Sequence, residues 1–429
     1  MTICRATVGD GLAVWRVTGY QDVITALRHP DLGMDPHRFD RGQNPFGTRR
    51  APEDAIAVTG RQLLNSDPPD HDRLRRLAQP HFTRPRVAAH RATITRIADE
   101  QLAVVLASDN ADLVTDYALP IPIRTICHIL GLDDRIGTAV TELTEVLLTT
   151  TSQRDPQFLA AGRTFDRLLR TAATTATATA SGTSAPAPTP GTSASAPTSG
   201  TPSDTPAPSE TPAPTPTNTP APAPAPGVAH ALGQAWHNGD LSRRELVSYL
   251  SLLLLAGYET TASAIATGSL LLLTDPSLAD HADSLVEEVL RLHPPIPYGF
   301  WRYAVRDTEL AGAAIARGEI VLASIAEANR DPDAFPDPDR LDPGRPGPGH
   351  LSFGTGRHHC LGAELGRTQT AIALTTLAPH LPRLRLAAPA GMLPRRDSML
   401  FQRLLHLPVT VTPPAPGPAP ASPRRDSCA

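Results

Sequence analysis

The spacing of apolar residues along the chain predicts a mainly helical protein with a few short strands. Residues 12–25 are predicted to form a strand pair followed by a helix, with a strand at 13–17 and the helix at 20–27. Residues 310–325 alternate between polar and apolar side chains, as strands do. Further segments carry apolar residues at helical spacing, namely 71–77, 91–106, 121–130 and 158–170.

The most apolar stretch of the chain is 246–273, and we predict one long helix there. Ser242 and Glu245 form a capping-box pattern at its start, and Pro276 follows its end. Such a helix spans roughly 45 Å, enough to cross a whole domain. Because the polar residues 259–261 interrupt its middle, we interpret it as a helix buried inside a protein and not as a membrane span.

Two more helices and an irregular stretch complete the C-terminal half. One helix is predicted at 285–292, where Pro294 and Pro295 stop it, and another begins after Cys360 and ends near residue 377. Between them, 331–349 is rich in Pro, Asp and Gly and is expected to be irregular.

Composition changes abruptly between about residues 171 and 226, where nearly every residue is Ala, Thr, Pro, Ser or Gly. Such a segment buries too little apolar surface to offset its ordering entropy, and alternating Ala and Pro favour extended conformations. We therefore expect a single domain over 1–412 that contains a disordered insert at 171–226. A similar disordered tail is expected at 413–429.

Charge and cysteine content restrict the class of protein. The net charge is -4 over 429 residues, so there is no electrostatic argument for nucleic-acid binding. Four Cys without regular spacing predict no disulfide framework and fit a reducing compartment. Residues 1–10 lack the apolar stretch of a signal peptide, so we expect a cytoplasmic protein with no membrane attachment.

Residues 353–362, Phe-Gly-Thr-Gly-Arg-His-His-Cys-Leu-Gly, form a glycine-rich loop that ends in Cys360 at a predicted helix start. A helix N-terminus favours a thiolate, and glycine lets backbone approach a flat, bulky group. From the residues alone, three alternatives stay open. Cys360 could be merely structural, it could join nearby His side chains in a zinc site, or the glycines could form a phosphate loop, although their spacing fits neither common type.

The same ten residues match the haem-binding loop of cytochrome P-450 enzymes at every position, and 65–71 and 328–332 resemble soluble bacterial members of actinobacterial type. The resemblance implies a triangular helical prism with a small β-rich lobe. Haem b then lies between the long helix and the loop, with Cys360 as iron ligand. The loop residues that would contact the haem are Phe353, Gly354, Gly356, His358 and Gly362.

A carboxylate and a hydroxyl lie side by side in the middle of the long apolar helix. Glu259 is costly there unless it has a partner, and Thr260 can donate to a carbonyl one turn earlier and distort the helix beside Gly257. A solvated polar patch on an exposed helix face is the alternative. The resemblance implies an acid–alcohol pair in which Glu259 and Thr260 deliver protons.

Two groups of charged residues complete the candidate set. Glu288 and Arg291 lie on one helix face and could be an ordinary surface ion pair. The resemblance instead implies a structural lock of Glu288, Arg291 and Arg340. His71, Arg75, Arg302 and His358 suit carboxylates chemically, and the resemblance places them at the haem propionates.

These features together imply a monooxygenase that inserts one oxygen of O2 into a lipophilic small molecule by hydroxylation or epoxidation. The leading expectation is a secondary-metabolite tailoring step on a polyketide-like substrate. Because the chain shows no flavin or iron–sulfur domain, electrons are expected from a separate ferredoxin and its NAD(P)H-dependent reductase. A peroxide-driven peroxygenase and a non-catalytic haem sensor or carrier remain the alternatives.

Overall fold

The computed structural model describes residues 2–8, 11–38, 60–149, 155–180, 227–396, 398 and 400–413. Its α-helices are α1 (Tyr20–Arg28), α2 (Asp70–Ala78), α3 (Arg84–Ala89), α4 (Arg91–Leu106), α5 (Pro120–Leu130), α6 (Asp134–Thr149), α7 (Pro156–Ala180), α8 (Val228–His237), α9 (Arg243–Thr274), α10 (Leu285–Leu292), α11 (Ile325–Ala328) and α12 (Ala363–Leu377). Its strands are β1 (Ile3–Val8), β2 (Leu12–Val17), β3 (Leu32–Gly33), β4 (Asn110–Asp112), β5 (Arg302–Ala304), β6 (Thr308–Leu310), β7 (Ala313–Ile315), β8 (Ile320–Ala323), β9 (Leu384–Leu386) and β10 (Pro408–Val411). The shorter helical turns are Pro36–Arg38, Leu63–Asn65, Gln79–His81, Val114–Ala118, Pro276–His281, Gly356–His358, Ala378–Arg383 and Ala390–Met392.

A small β-rich lobe joins the N-terminal strands to strands from residues 302–323. Its five-stranded sheet has the order β1-β2-β8-β5-β3. β1 and β2 form an antiparallel hairpin, and β2 then pairs in parallel with β8, Trp15 opposite Val321. The strand pair expected within 12–25 therefore begins earlier, because its first strand is Ile3–Val8. The sheet holds β5 between β8 and β3, and this placement positions Arg302 at the site described below.

The long apolar helix is confirmed as α9, the central element of the helical lobe. Ser242 Oγ accepts the Glu245 N–H at 3.2 Å, and the Glu245 carboxylate accepts the Ser242 N–H at 2.8 Å, so the predicted capping box is formed. By length and composition α9 could cross a membrane, but 72% of its most apolar window is buried inside the protein. The buried-helix interpretation is therefore confirmed.

Two glycines allow neighbouring helices to pack closely on α9. A Cβ at Gly257 would lie 2.8 Å from Ile126 Cγ1 on α5, and one at Gly268 would lie 2.7 Å from Leu374 Cδ1 on α12. A larger residue at either position would force the facing Ile126 or Leu374 side chain to move. α9 is thus fixed in position against α12, the helix that follows Cys360.

The predicted insert at 171–226 begins too early. α7 continues to Ala180, and Ala172 and Ala173 are buried in the core. Alanine has the highest intrinsic helix propensity, so the helix that starts at Pro156 extends into the low-complexity sequence as long as alanines can pack. Residues 181–226, and 414–429 of the predicted tail, lie outside the described residues.

The chain returns to the core at Gly227 under tight steric restriction. Gly227 caps α8, and a Cβ on it would lie 2.4 Å from Leu130 O at the end of α5. Real Cβ atoms do not approach backbone oxygens this closely, so only glycine fits without moving α5 or α8.

Candidate functional site

The Cys360 loop is shaped by backbone hydrogen bonds and by two glycines with positive φ. The Cys360 N–H donates to Phe353 O at 2.9 Å, so the loop closes on itself. Gly354 and Gly356 have φ values of 65° and 75°, a region that other residues rarely adopt. A Cβ at Gly356 would also lie 3.1 Å from Arg28 Cγ. The loop therefore ends with Cys360 just before α12, as the sequence predicts.

The surroundings of Cys360 act on its thiol in opposite directions. The residue is exposed. Desolvation by neighbouring protein atoms raises the pKa of the thiol, while a hydrogen bond from the Gly362 N–H and the charges of Arg75 and Arg367 lower it. A metal ion would deprotonate such a thiol outright. Within the described part of the chain, no three His, Cys, Asp or Glu side chains are grouped to hold a metal ion together.

The four cationic side chains expected at the propionates do converge. His71 and Arg75 lie one turn apart on α2, Arg302 begins β5, and His358 lies in the Cys360 loop. The His71 and His358 rings are 4.3 Å apart between centroids. The Arg75 guanidinium donates to the His359 carbonyl at 3.1 Å. Three separate elements thus place positive or potentially positive groups at one edge of the Cys360 loop.

Two nitrogen atoms of this cluster lack a hydrogen-bond partner among the described residues, which indicates what the cluster binds. His71 Nε2 and Arg302 Nε are buried and have no hydrogen-bond partner among the described residues. Burial lowers the pKa of Arg302 to about 10, although Asp67 opposes the change. Burial also lowers the pKa of His358 to about 2, helped by the charges of Arg302 and His71. Two carboxylates at this position would satisfy these groups, so the residues fit the propionates of a haem.

The side chains of Glu259 and Thr260 turn in different directions. Thr260 Oγ1 donates to the Ala256 carbonyl at 2.9 Å, the bond expected from its position in α9. Consecutive helix residues point about 100° apart. Glu259 accordingly faces the protein interior, and the structure places its carboxylate against two arginines and not against the Thr260 hydroxyl.

Glu259 belongs to a group of four charges, three of them buried, that we call the Glu259 cluster: Glu145, Glu259, Arg396 and Arg403. Arg396 Nη1 and Arg403 Nε donate to Glu259 Oε1 at 2.9 and 3.0 Å. The same two guanidiniums donate to Glu145 Oε2 through their Nη2 atoms, at 2.5 and 3.0 Å. Sequence reasoning missed the arginines. The cost of an unpaired buried carboxylate required a partner for Glu259, but that rule alone does not locate one.

Comparison with known proteins decides the family. The Cytochrome P-450 family model matches residues 280–381. The mycinamicin IV hydroxylase/epoxidase of Micromonospora griseorubida is 34% identical over 417 residues, which cover 95% of this chain and 92% of that enzyme. The chain belongs to the cytochrome P-450 family. It is a haem b P-450 monooxygenase, with the fold class predicted from its sequence.

Solved P-450 structures extend the match over the whole fold. The tirandamycin C-bound P-450 monooxygenase TamI superposes with a TM-score of 0.77 at 30% identity, covering 96% of this chain and 94% of that one. The bacillaene polyketide synthase P-450 PksS of Bacillus subtilis gives 0.76 at 25% identity, covering 96% and 92%. The helical lobe and the small sheets of this P-450 are therefore the shared architecture.

The charge lock of this P-450 contains Arg345 and not the predicted Arg340. Arg291 donates to both carboxylate oxygens of Glu288, at 2.6 and 2.9 Å, and both side chains are buried. Arg345 Nε lies 3.4 Å from Glu288 Oε2. Arg340 contributes only its backbone carbonyl, which accepts from Arg291 Nη2 at 3.1 Å, while its own side chain pairs with Asp342.

The physical reason for this correction lies in the irregular stretch before the Cys360 loop. The Arg345 guanidinium donates to the carbonyls of Pro336 and Asp337, at 2.5 and 3.2 Å. The Asp337 carbonyl also accepts the Arg340 N–H at 3.0 Å, so the Arg345 side chain folds back over the stretch and adds to its backbone bonding. Arg340 lies within the stretch and points outward to solvent, where Asp342 neutralises it.

Proposed function

We propose that this P-450 hydroxylates or epoxidises a lipophilic, polyketide-like secondary metabolite, with electrons from a separate ferredoxin. The observation that carries the proposal is the cluster of His71, Arg75, Arg302 and His358 beside the Cys360 loop, in which His71 Nε2 and Arg302 Nε have no hydrogen-bond partner among the described residues. It supplies what a haem's carboxylates need, in a chain similar along its whole length to a hydroxylase/epoxidase. Similarity to a polyketide synthase P-450 supports the substrate class.

In this proposal each site residue has a separate part in holding the cofactor. Cys360 would ligate the iron, and Phe353, Gly354, Gly356 and Gly362 would form the surface beneath the ring. His71, Arg75, Arg302 and His358 would bind the propionates. Haem b held by a thiolate supplies the activation of O2 and the insertion of oxygen.

His71 adds a condition to propionate binding. Its Nδ1 lies 3.0 Å from Asp72 Oδ1, so Nδ1 carries the proton that Asp72 accepts. Burial lowers the pKa of His71, and the nearby Arg75 adds to this, while Asp72 opposes it. Nε2 can donate to a propionate only if the ring is cationic. We propose that a bound carboxylate raises the pKa of His71 enough to protonate the ring.

The proposed proton route uses Thr260 Oγ1 as its last protein atom. Because this hydroxyl donates to Ala256 O, its lone pairs remain available to accept a hydrogen bond from water. Glu259 is held by Arg396 and Arg403, so we propose that it orders water near α9 instead of donating directly to Thr260. The supply of protons then depends on both side chains, although they do not touch.

The proposed ferredoxin site is the arginine-rich face beside the Cys360 loop. Arg76 on α2 and Arg357 in the loop are exposed and lie close enough to Asp72 for both to lower its pKa. Since the chain contains no Lys, arginines alone must supply the positive charge that attracts an acidic electron-transfer protein. We propose that this exchange takes place in the cytoplasm.

The experiment is turnover by the haem-loaded protein under labelled O2, with a ferredoxin, its reductase and NADPH. The probes are a panel of macrolactones and long-chain fatty acids, because Ile296, Pro297 and Phe401 give the expected substrate pocket an apolar lining. A product with one labelled oxygen is expected. Product formed with hydrogen peroxide but not with the ferredoxin would favour the peroxygenase. Haem binding without O2 consumption under any reductant would favour a sensor or carrier.

A further inference from the structure

The Glu259 cluster connects three elements that are distant in sequence. Glu259 comes from α9 and Glu145 from α6. Arg396 and Arg403 face each other across a short hairpin, in which the Arg396 N–H donates to Arg403 O at 2.8 Å and Arg395 bridges to Leu404. Both arginines are therefore opposed residues of this hairpin, and they reach the two carboxylates from the same place on it.

The four members differ in burial. The side chains of Glu259, Arg396 and Arg403 are 2%, 3% and 3% exposed, whereas that of Glu145 is 46% exposed. Two positive charges in the interior are balanced by one deep carboxylate and one that reaches in from the edge. Without Glu145 the interior would hold an excess positive charge, which is costly there.

The two carboxylates contact different nitrogens of the same guanidiniums. Glu145 binds both Nη2 atoms, while Glu259 binds Arg396 Nη1 and Arg403 Nε. A guanidinium is planar, so fixing one nitrogen restricts the direction of the others. The position of Glu145 thus determines where the remaining N–H groups point, and these groups hold Glu259.

We propose that Arg396 and Arg403 are positioning residues for Glu259, and that Glu145 acts through them as a third positioning residue on α6. Glu145 and Glu259 share no direct contact. The orientation of the α9 carboxylate nevertheless depends on α6, because a displacement of α6 moves both guanidinium planes. This inference rests on the proposed role of Glu259 in proton delivery, but its structural part is independent of that role.

The main test is amide hydrogen exchange of the haem-loaded protein carrying Glu145→Gln. The matched control is Glu142→Gln, which removes the same charge from an exposed position on the same helix. In Glu145→Gln, exchange of the 395–404 hairpin and of α9 around Glu259 should accelerate about tenfold, as expected when a local opening becomes easier. Glu142→Gln should exchange like the wild type. Equal exchange in both variants would overturn the proposal.

A double-mutant cycle tests the indirect contact itself. Thermal midpoints are measured for Glu145→Gln, Glu259→Gln and the double variant. Because the carboxylates act on shared guanidiniums, the shift of the double variant should differ from the sum of the single shifts. Additive shifts would show that the two carboxylates are independent. Glu145→Gln is half-exposed and keeps a hydrogen-bonding group, so it should fold even if Glu259→Gln does not.

A functional measurement separates this inference from the proposed proton route. On a substrate found in the panel above, Glu145→Gln should form less product per NADPH and more hydrogen peroxide, with an unchanged KM. Suppose that Thr260→Ala keeps its yield of product per NADPH while the amides of Glu145→Gln exchange faster. The proposed proton route is then wrong, and the positioning role of Glu145 stands. Suppose instead that Thr260→Ala loses product per NADPH, while Glu145→Gln matches the wild type in both amide exchange and product per NADPH. The positioning role of Glu145 is then wrong, and the proton route stands.

Discussion

Arg345 lies against Glu288 with its side chain only 8% exposed, although it is 54 to 57 positions away from the α10 residues it helps to hold. Arg340, five positions earlier, is 65% exposed and pairs with Asp342. The two arginines occupy the same irregular stretch, so they form a natural matched pair. Because Arg345 is buried and Arg340 is exposed, we expect only Arg345 to contribute to the stability of the fold.

Arg345→Ala should destabilise the protein by on the order of 3 kcal/mol, because it removes a buried partner of Glu288 and the guanidinium that donates to the Pro336 carbonyl. Arg340→Ala should change the free energy of unfolding by less than about 0.5 kcal/mol, since its carbonyl remains. Denaturant unfolding of both variants checks this. Equal losses of unfolding free energy in the two variants would show that the Arg340 side chain also belongs to the charge lock.

Acid should weaken the same lock. Burial would raise the pKa of Glu288, but hydrogen bonds from Arg291 and the Asp342 N–H, with the charges of Arg291 and Arg345, hold it below its usual value. The stabilisation is therefore complete above the unfolded-state pKa of about 4.3 and is lost as the pH falls through the lower folded-state pKa. Thermal midpoints between pH 6 and pH 3 measure it. Glu288→Gln should be less stable at pH 6 and show a flatter dependence, whereas an identical slope would exclude Glu288 as the source.

Cys360 is predicted to be the proximal ligand. The reduced carbonyl complex of the wild type should show the red-shifted Soret band of thiolate ligation. Cys360→His should lose that band, and Cys4→Ser, a change on β1, should keep it. A histidine-type spectrum from the wild type would contradict the assignment.

Arg75 and Arg302 are predicted to bind the propionates. The double change to Ala should weaken haem binding by about a hundredfold to ten-thousandfold, since hydrogen bonds from charged groups contribute about 1.5–3 kcal/mol each. The fold should persist, because the buried Arg302 Nε has no hydrogen bond to lose among the described residues. The control is the double change of Arg76 and Arg306 to Ala, which removes two exposed cations. Haem titration of both proteins measures the difference, and full occupancy in the first would remove Arg75 and Arg302 from the site.

Thr260→Ala should uncouple electron consumption from product formation. Loss of a general acid–base contribution typically costs about a hundredfold to ten-thousandfold, of which peroxide release hides a part. Product per NADPH should fall while hydrogen peroxide rises, and Thr260→Ser, which keeps the hydroxyl, should restore coupling. A well-coupled Thr260→Ala variant would mean that a hydroxyl group on the substrate delivers the proton instead.

Local periodicity predicted most of the helical framework. The helix predicted at 91–106 has the same bounds in α4, and the capping box of α9 forms between the two residues that the pattern names. These features depend on residues within one or two turns of each other, so the sequence contains all the necessary information.

The errors concern interactions between distant residues. Arg396 and Arg403 are 137 and 144 positions from Glu259, and no local pattern indicates that a hairpin near the C-terminus will meet α9. Arg340 and Arg345 could not be told apart, because an irregular stretch has no period that predicts side-chain direction. The family resemblance, in contrast, identified a cationic cluster whose four members converge from three elements.

The steric restriction at Gly227 marks the C-terminal end of the low-complexity region, and a mutational scan would detect it as a position that tolerates no substitution. Composition alone does not distinguish this glycine from the Ala, Pro and Thr residues that precede it. Every substitution at Gly227 nevertheless forces an atom against the backbone at Leu130. In a saturation library, Gly227 should therefore behave like a core position. Natural variants of this protein are then free to change the length of the region only on its N-terminal side, between the end of α7 and this one glycine.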